Sequence, residues 1–286
     1  MNKSKTNLNP TPVQMIITDL DGTLLGPDRM VSETDFQTLE WLEEQHIVRV
    51  IATGRSPFSL RRVIPDDFPV DYVIVSSGAG VMDWSTKEFI FSHDLSAPEV
   101  QTAVSVLNRE KLDFMIQQPI PESHRFLYVR NRPDNPDFDR RLQIYEGYHA
   151  PLTASDPGDR PACEIIAIIP DGAGYYGRLQ KNLPDLKVIR TTSPLDGETL
   201  WVELFPADVS KAAAAKWLCD RLGIDCGHTL GIGNDYNDLD LLHWTGLSYV
   251  VGNAPDVLKE RFEVTRHNGD SGFSAAVHRA MGLNLC

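Results

Sequence analysis

Order in the chain begins at Val13. Met15-Ile16-Ile17-Thr18 is a short apolar run that ends in the polar turn Asp19-Leu20-Asp21-Gly22-Thr23. This pattern predicts a strand buried on both faces that delivers polar residues at its carboxyl end. Ser32 with Asp35 three positions on marks a helix start of the capping-box type in its shorter-acid form, and Phe36, Leu39 and Leu42 continue one helical face. Val48 to Ala52 is a second strand running into Thr53-Gly54-Arg55, with Ser56-Pro57 as N-cap and first-turn proline. Tyr72 to Val75 is a third, ending at Ser76-Ser77-Gly78-Ala79-Gly80. Strand, turn and helix repeat as in an open α/β sheet.

The rhythm then changes. Phe114 to Ile116 and Phe126 to Val129 form paired strands, with helices near Ala97–Arg109 and Phe138–Glu146 and a further strand over Ile165–Ile169. Pro151 to Pro161 is dense in Pro, Asp, Gly and Ser and predicts a surface loop. The α/β rhythm resumes with strands at Trp201–Phe205, Thr229–Ile232 and Tyr249–Val251 and helices starting at Ser210, Asn237 and Asp256. The expected division is a loose leader over 1–12, an α/β core built from 13–82 and 197–286, and an inserted α+β domain over 83–196. A chain of 286 residues accommodates such a two-part plan.

Composition narrows the function. The net charge of −13 and an isoelectric point near 5.0 argue against a nucleic-acid or anionic-membrane partner, which clustered cations would have to hold. An anionic substrate would need local positive charge from a few lysines, arginines or a metal. Cys163, Cys219, Cys226 and Cys286 form no Cys-x-x-Cys pair, and no signal-like segment opens the chain, so reduced thiols in a cytoplasm are expected. No apolar run approaches the roughly 20 residues of a membrane helix. The sequence does not fix an oligomeric state; Trp84, Trp201, Trp217 and Trp244 fit core or domain-junction positions.

Four polar signals fall at strand ends or helix starts, where ligands of open α/β sheets gather. Asp19 and Asp21 can divide labour, one attacking and the other moving a proton, although alone an Asp-x-Asp-Gly turn is as often an ordinary turn. It is no calcium loop, because the twelfth position is Met30 where a bidentate Glu would stand. Thr53-Gly54-Arg55 is either a plain cap or a phosphoryl cradle. Lys211 starts an Ala-rich helix, where a cation opposes the helix dipole; a nearby phosphoryl group or aspartate would explain it. Gly231-Ile232-Gly233-Asn234-Asp235-Tyr236-Asn237-Asp238 carries oxygen ligands suited to Mg²⁺ and lacks the third glycine of a dinucleotide fingerprint.

In this order the four segments resemble the four motifs of the haloacid dehalogenase (HAD) superfamily. The insert between the second and third is similar to the cap of the Cof-type (type IIB) sugar-phosphatase branch. Val202-Glu203, Gly252-Asn253-Ala254 and Asn268-Gly269-Asp270-Ser271-Gly272 extend the resemblance over nearly the whole chain after Val13. It implies a Rossmann-like parallel-sheet core with a C2B-type cap, and a Mg²⁺-dependent phosphatase working through an aspartyl-phosphate. It makes Asp19 the nucleophile, Asp21 the acid/base, and Thr53 and Lys211 the groups that balance phosphoryl charge. Leu20, Gly22, Gly54, Arg55, Ser77, Gly78 and Asn237 would line the phosphate or substrate, and Asp19, Asp21, Asn234, Asp235 and Asp238 the metal.

Two positions depart from the common pattern. Asn234 stands where an aspartate normally binds the metal, so either its amide oxygen ligates or Asp235 takes over. Ser77 stands where many members have Asn. The partner implied is a small phosphorylated metabolite, with a sugar phosphate the leading class. A phosphomutase of the same branch, and a non-catalytic binding protein motivated by Asn234, are the competing readings. His124, Arg125, Arg130 and Arg132 either face the substrate or lie on the surface.

Overall fold

The computed structural model describes residues 12–153, 159–169, 174–193 and 195–283. The expected leader, apart from Pro12, and the centre of the Pro151–Pro161 loop lie outside them. Strands run over Met15–Thr18 (β1), Val48–Ala52 (β2), Tyr72–Val75 (β3), Gly80–Asp83 (β4), Phe89–Ser92 (β5), Asp113–Gln117 (β6) and Phe126–Val129 (β7). Seven more follow at His149–Pro151 (β8), Ile165–Ile169 (β9), Leu186–Thr192 (β10), Leu200–Pro206 (β11), Thr229–Gly233 (β12), Leu247–Val250 (β13) and Glu263–Val264 (β14). The helices are Glu33–Glu44 (α1), Pro57–Leu60 (α2), Ala97–Arg109 (α3), Pro136–Ile144 (α4), Tyr175–Asn182 (α5), Lys211–Leu222 (α6), Leu239–Trp244 (α7), Asp256–Lys259 (α8) and Gly272–Ala280 (α9). Among them no helix is long and apolar enough to cross a membrane.

Contacts divide the chain into two units. The first comprises Met1–Ile51, Pro69–Asp71 and Ala215–Cys286. Here five strands lie parallel in the order β14-β13-β12-β1-β2. All four residues of β1 are buried, as its uninterrupted apolar run requires. With β2 on one side and β12 on the other, β1 marks the point where strand order reverses, and its carboxyl end is where such sheets bind ligands. Ser32 caps α1 by accepting from the Asp35 amide. The Asp35 side chain is wholly buried and accepts from both the amide and the hydroxyl of Ser274, which locks α1 to α9.

The second unit comprises Ala52–Phe68 and Tyr72–Ala214. It holds the antiparallel meander β3-β4-β5 and a six-stranded sheet ordered β10-β11-β9-β6-β7-β8, antiparallel except between β7 and β8. Side chains alternate between the two faces of that sheet. Phe114, Ile116, Ile165, Ala167, Val202 and Leu204 join Leu107 of α3 and Leu179 of α5. Met115, Phe126, Ile166, Ile168 and Trp201 join Phe138 of α4 and Tyr145 on the other side. Each fully buried aliphatic side chain contributes about 1.5–3 kcal/mol relative to exposure.

Two expectations need correction. Trp201–Phe205 does not continue the parallel sheet: β11 pairs antiparallel with β10 and β9. A strand covered on both faces shows the same continuous burial that marks a parallel strand, so the run alone could not assign its sheet. The helix placed over Phe138–Glu146 runs instead from Pro136 to Ile144, because the buried Asn135 caps it by accepting from the Phe138 amide at 3.3 Å.

Candidate active site

In the first unit the backbone leaves β1 with the Asp19 amide donating to the Ile232 carbonyl on β12 at 2.8 Å. Asp19 is buried and Asp21 exposed. Between them Leu20 is buried, and its carbonyl accepts from the Leu25 amide at 2.8 Å, which closes the loop. Gly22 has φ of +75°, a left-handed backbone that suits glycine, and a side chain there would run into the Asn234 amide.

The motif after β12 settles differently for each of its polar residues. Asp238 is wholly buried, and its Oδ2 accepts from the amides of Asn234 and Asp235 at 2.9 and 3.1 Å. Asp235 turns Oδ1 to the Tyr236 amide at 2.7 Å and caps the 3-10 turn Tyr236–Asp238. Asn237 sits inside that turn, half-buried. Asn234 presents one amide atom 3.2 Å from Asp19 Oδ2, 3.2 Å from the Asp21 carbonyl oxygen and 3.1 Å from Thr23 Oγ1. With nitrogen in that place the amide donates to all three. With Oδ1 there it accepts from Thr23 and meets two further oxygens.

The second arrangement suits a cation. Neighbouring oxygens of an octahedral Mg²⁺ site lie about 3 Å apart, given metal–oxygen distances of about 2.1 Å. One carboxylate, one backbone carbonyl and one amide oxygen are hard ligands of the right kind. No group of three or more His, Cys, Asp or Glu side chains that could hold a metal occurs among the described residues, and this donor set draws instead on main chain and amide.

The second unit holds the remaining motif residues together. Thr53, buried at the end of β2, donates its amide to the Ile74 carbonyl at 2.9 Å and accepts the Arg55 amide on Oγ1 at 3.1 Å. Gly54 is exposed, and Arg55 reaches the Ser59 carbonyl at 3.3 Å. Ser76 and Ser77 return to this loop through Ser76 N to the Arg55 carbonyl and Ser77 N to the Thr53 carbonyl, at 2.9 and 3.0 Å. Both serines are left-handed, with φ of +47° and +55°, a strain that residues other than glycine rarely carry.

Gly78, at φ +113°, passes so close to the start of α6 that an added Cβ would fall 2.2 Å from the Ser210 carbonyl oxygen. Ser210 accepts the Ala213 amide at 3.0 Å and sets that helix start, and Lys211, only 1% exposed, is its first residue. The acidic set and the hydroxyl–lysine set thus fall in different units, each organised by its own backbone.

In the second unit His124 stacks on Phe58 at 4.6 Å and burial lowers its pKa. Arg125 pairs with Glu122, Arg130 with Asp139, and Arg132 donates to the Tyr175 hydroxyl. Sequence reasoning assigned no role to Asn253 and Asn268. Asn253 donates to the Gly22 carbonyl and Asn268 to the Leu25 carbonyl, both at 2.8 Å, and the Asn253 side chain accepts from the Asn268 amide. Together they clamp the loop that carries Asp21. Their similarity to Cof-type sequence was the available signal.

A family model described as haloacid dehalogenase-like hydrolase matches residues 16–277. The HMP-PP phosphatase of Klebsiella pneumoniae is 27% identical over 266 residues, covering 91% of this chain and 92% of that protein. Among solved structures, BT1666 from Bacteroides thetaiotaomicron, described among HAD phosphatases, has a TM-score of 0.79 at 20% identity, covering 98% of this chain and 99% of that one. The HAD subclass IIB sugar phosphatase BT4131 has a TM-score of 0.74 at 16% identity, covering 94% and 99%. Both structures share the fold.

Proposed function

Because the chain belongs to the haloacid dehalogenase-like hydrolases, we propose that it is a Mg²⁺-dependent phosphatase that hydrolyses small phosphomonoesters through an aspartyl-phosphate on Asp19. The observation that carries this reading is the gathering of Asp19, the Asp21 carbonyl and Asn234 at the end of β1. A Mg²⁺ ion held by these three groups would neutralise phosphoryl oxygens and lower the barrier to attack.

The Asp19 carboxylate attacks phosphorus, forming one P–O bond as the ester P–O bond breaks. Asp21, exposed two residues on, donates a proton to the leaving oxygen. Water then attacks phosphorus while Asp21 takes its proton, and Asp19 is regenerated as a carboxylate. Asp238 keeps the Asn234 loop in place, and Asp235 serves as its cap. The family resemblance gives Thr53, Gly54 and Lys211 the phosphoryl oxygens, with Arg55, Ser77 and Asn237 toward the substrate.

The inserted domain, expected over 83–196, is better ended after β11, whose partners are β9 and β10. A sugar phosphate is the substrate class we favour, in line with the naming of BT4131 as a sugar phosphatase. A cytoplasmic setting accords with the unpaired thiols of Cys163, Cys219 and Cys226. Phosphate release from an aryl phosphate with Mg²⁺, and its loss in EDTA, tests the reading. Absence of release with any divalent cation contradicts it.

A further inference from the structure

One face of the six-stranded sheet changes character along its strands. Trp201, Ile166, Ile168 and Met115 pack into an apolar cluster. On the same face Glu203 on β11 stands opposite Ile166, and one step further along the sheet Glu164, just before β9, faces Gln117 at the end of β6. Gln117 and Glu164 are neighbours across the ladder: the Gln117 amide donates to the Glu164 carbonyl at 2.9 Å, and the Cys163 amide donates to the Gln117 carbonyl at 3.1 Å.

Gln117 is 1% exposed, and both its side-chain nitrogen and oxygen lack a partner among the described residues. A leucine would fill the same place without stranding an amide, so the group calls for a function. Glu164 is also buried, and its carboxyl is held well above the usual range by burial and by Glu203, against the pull of Arg141. Ser77 lies beside Glu203, and Arg141 and Lys211 are the cations that face it. The cluster therefore abuts the loop and helix start already described in this unit.

We propose that Gln117, Glu164 and Glu203, with Ser77 beside them, form a hydroxyl-recognition site that reads the polyol part of a phosphate ester. The chemistry favours hydroxyls over an amine. A hydroxyl both donates and accepts, matching a glutamine amide next to carboxyl groups, whereas an ammonium group would meet Arg141 and Lys211. This site rests on the phosphatase reading and adds what distinguishes one ester from another.

The test compares kcat/KM of the wild-type enzyme for phenyl phosphate, a hexose monophosphate and deoxy analogues each lacking one hydroxyl. The expected result is that at least one deoxy analogue loses about tenfold or more, because a missing hydroxyl leaves buried polar groups unpaired. Gln117→Leu and Glu164→Gln, checked for folding by urea unfolding, should lower the ratio of hexose phosphate to phenyl phosphate by a similar factor. Phosphate release from phenyl phosphate with equal kcat/KM for hexose phosphate and every deoxy analogue overturns the site and leaves the phosphatase reading standing. No release from either ester overturns the reading beneath it.

Discussion

One amide atom of Asn234 lies 3.2 Å from Oδ2 of Asp19, where the family pattern would set two carboxylates against each other. A neutral amide can donate to Asp19 when the site is metal-free and can turn its oxygen inward when a cation arrives. Its lack of charge makes cation binding weaker than a carboxylate would.

Asn234→Asp should therefore tighten Mg²⁺ binding by about tenfold or more, since each factor of ten is only about 1.4 kcal/mol of added attraction. The Mg²⁺-induced rise in melting temperature, followed as a titration, measures it. An unchanged midpoint would show that Asn234 does not face the cation.

Gly78→Ala tests the packing of the third motif. The new methyl would collide with the Ser210 carbonyl oxygen in a backbone conformation that alanine resists. A loss of about 1–3 kcal/mol in urea unfolding is expected, together with reduced turnover as the start of α6 shifts.

Asn268→Ala should cost about 1–3 kcal/mol by leaving the Leu25 carbonyl unpaired in a buried place. Asn253→Ala removes a half-buried bond to Gly22 and should cost less stability, about 0.5–1.5 kcal/mol, yet lower kcat by loosening the Asp21 loop. Equal effects of both variants on stability and turnover would argue against the clamp.

Burial pushes the Glu203 carboxyl up to about 7 from an ordinary 4.5, opposed by Arg141, Lys211 and Ser77. Between those values the folded protein holds a proton that the unfolded chain releases, so stability falls as pH rises through the window and levels off above it. Glu203→Gln should flatten that slope, while Glu164, also raised, retains part of it. Urea unfolding at about pH 5 and about pH 8 reads the difference.

Much of the parallel sheet was legible because its central strands carry short apolar runs, unbroken in β1 and interrupted only by Arg49 in β2. β1, β2, β3 and α3 fall on the residues their patterns mark. The β4–β5 hairpin and α9 were not: Gly80 opens β4 and Gly272 opens α9, and neither start is marked by a side-chain cap or a proline. Which of Asn234 and Asp235 stands beside Asp19 could not be read from the sequence, since both are oxygen donors; in the structure Asn234 reaches Asp19 while Asp235 caps the Tyr236–Asp238 turn. The roles of Asn253 and Asn268 depend on bonds spanning more than 200 residues, which local patterns do not register.

The proposed mechanism turns on a covalent phosphoryl group carried by Asp19. Turnover quenched with borohydride should reduce the acyl-phosphate, converting Asp19 to homoserine in the peptide that contains it, with no such conversion in Asp19→Asn, whose fold and melting temperature stay near wild type. Reduction at another residue, or phosphate release with Asp19 unmodified, would contradict the account.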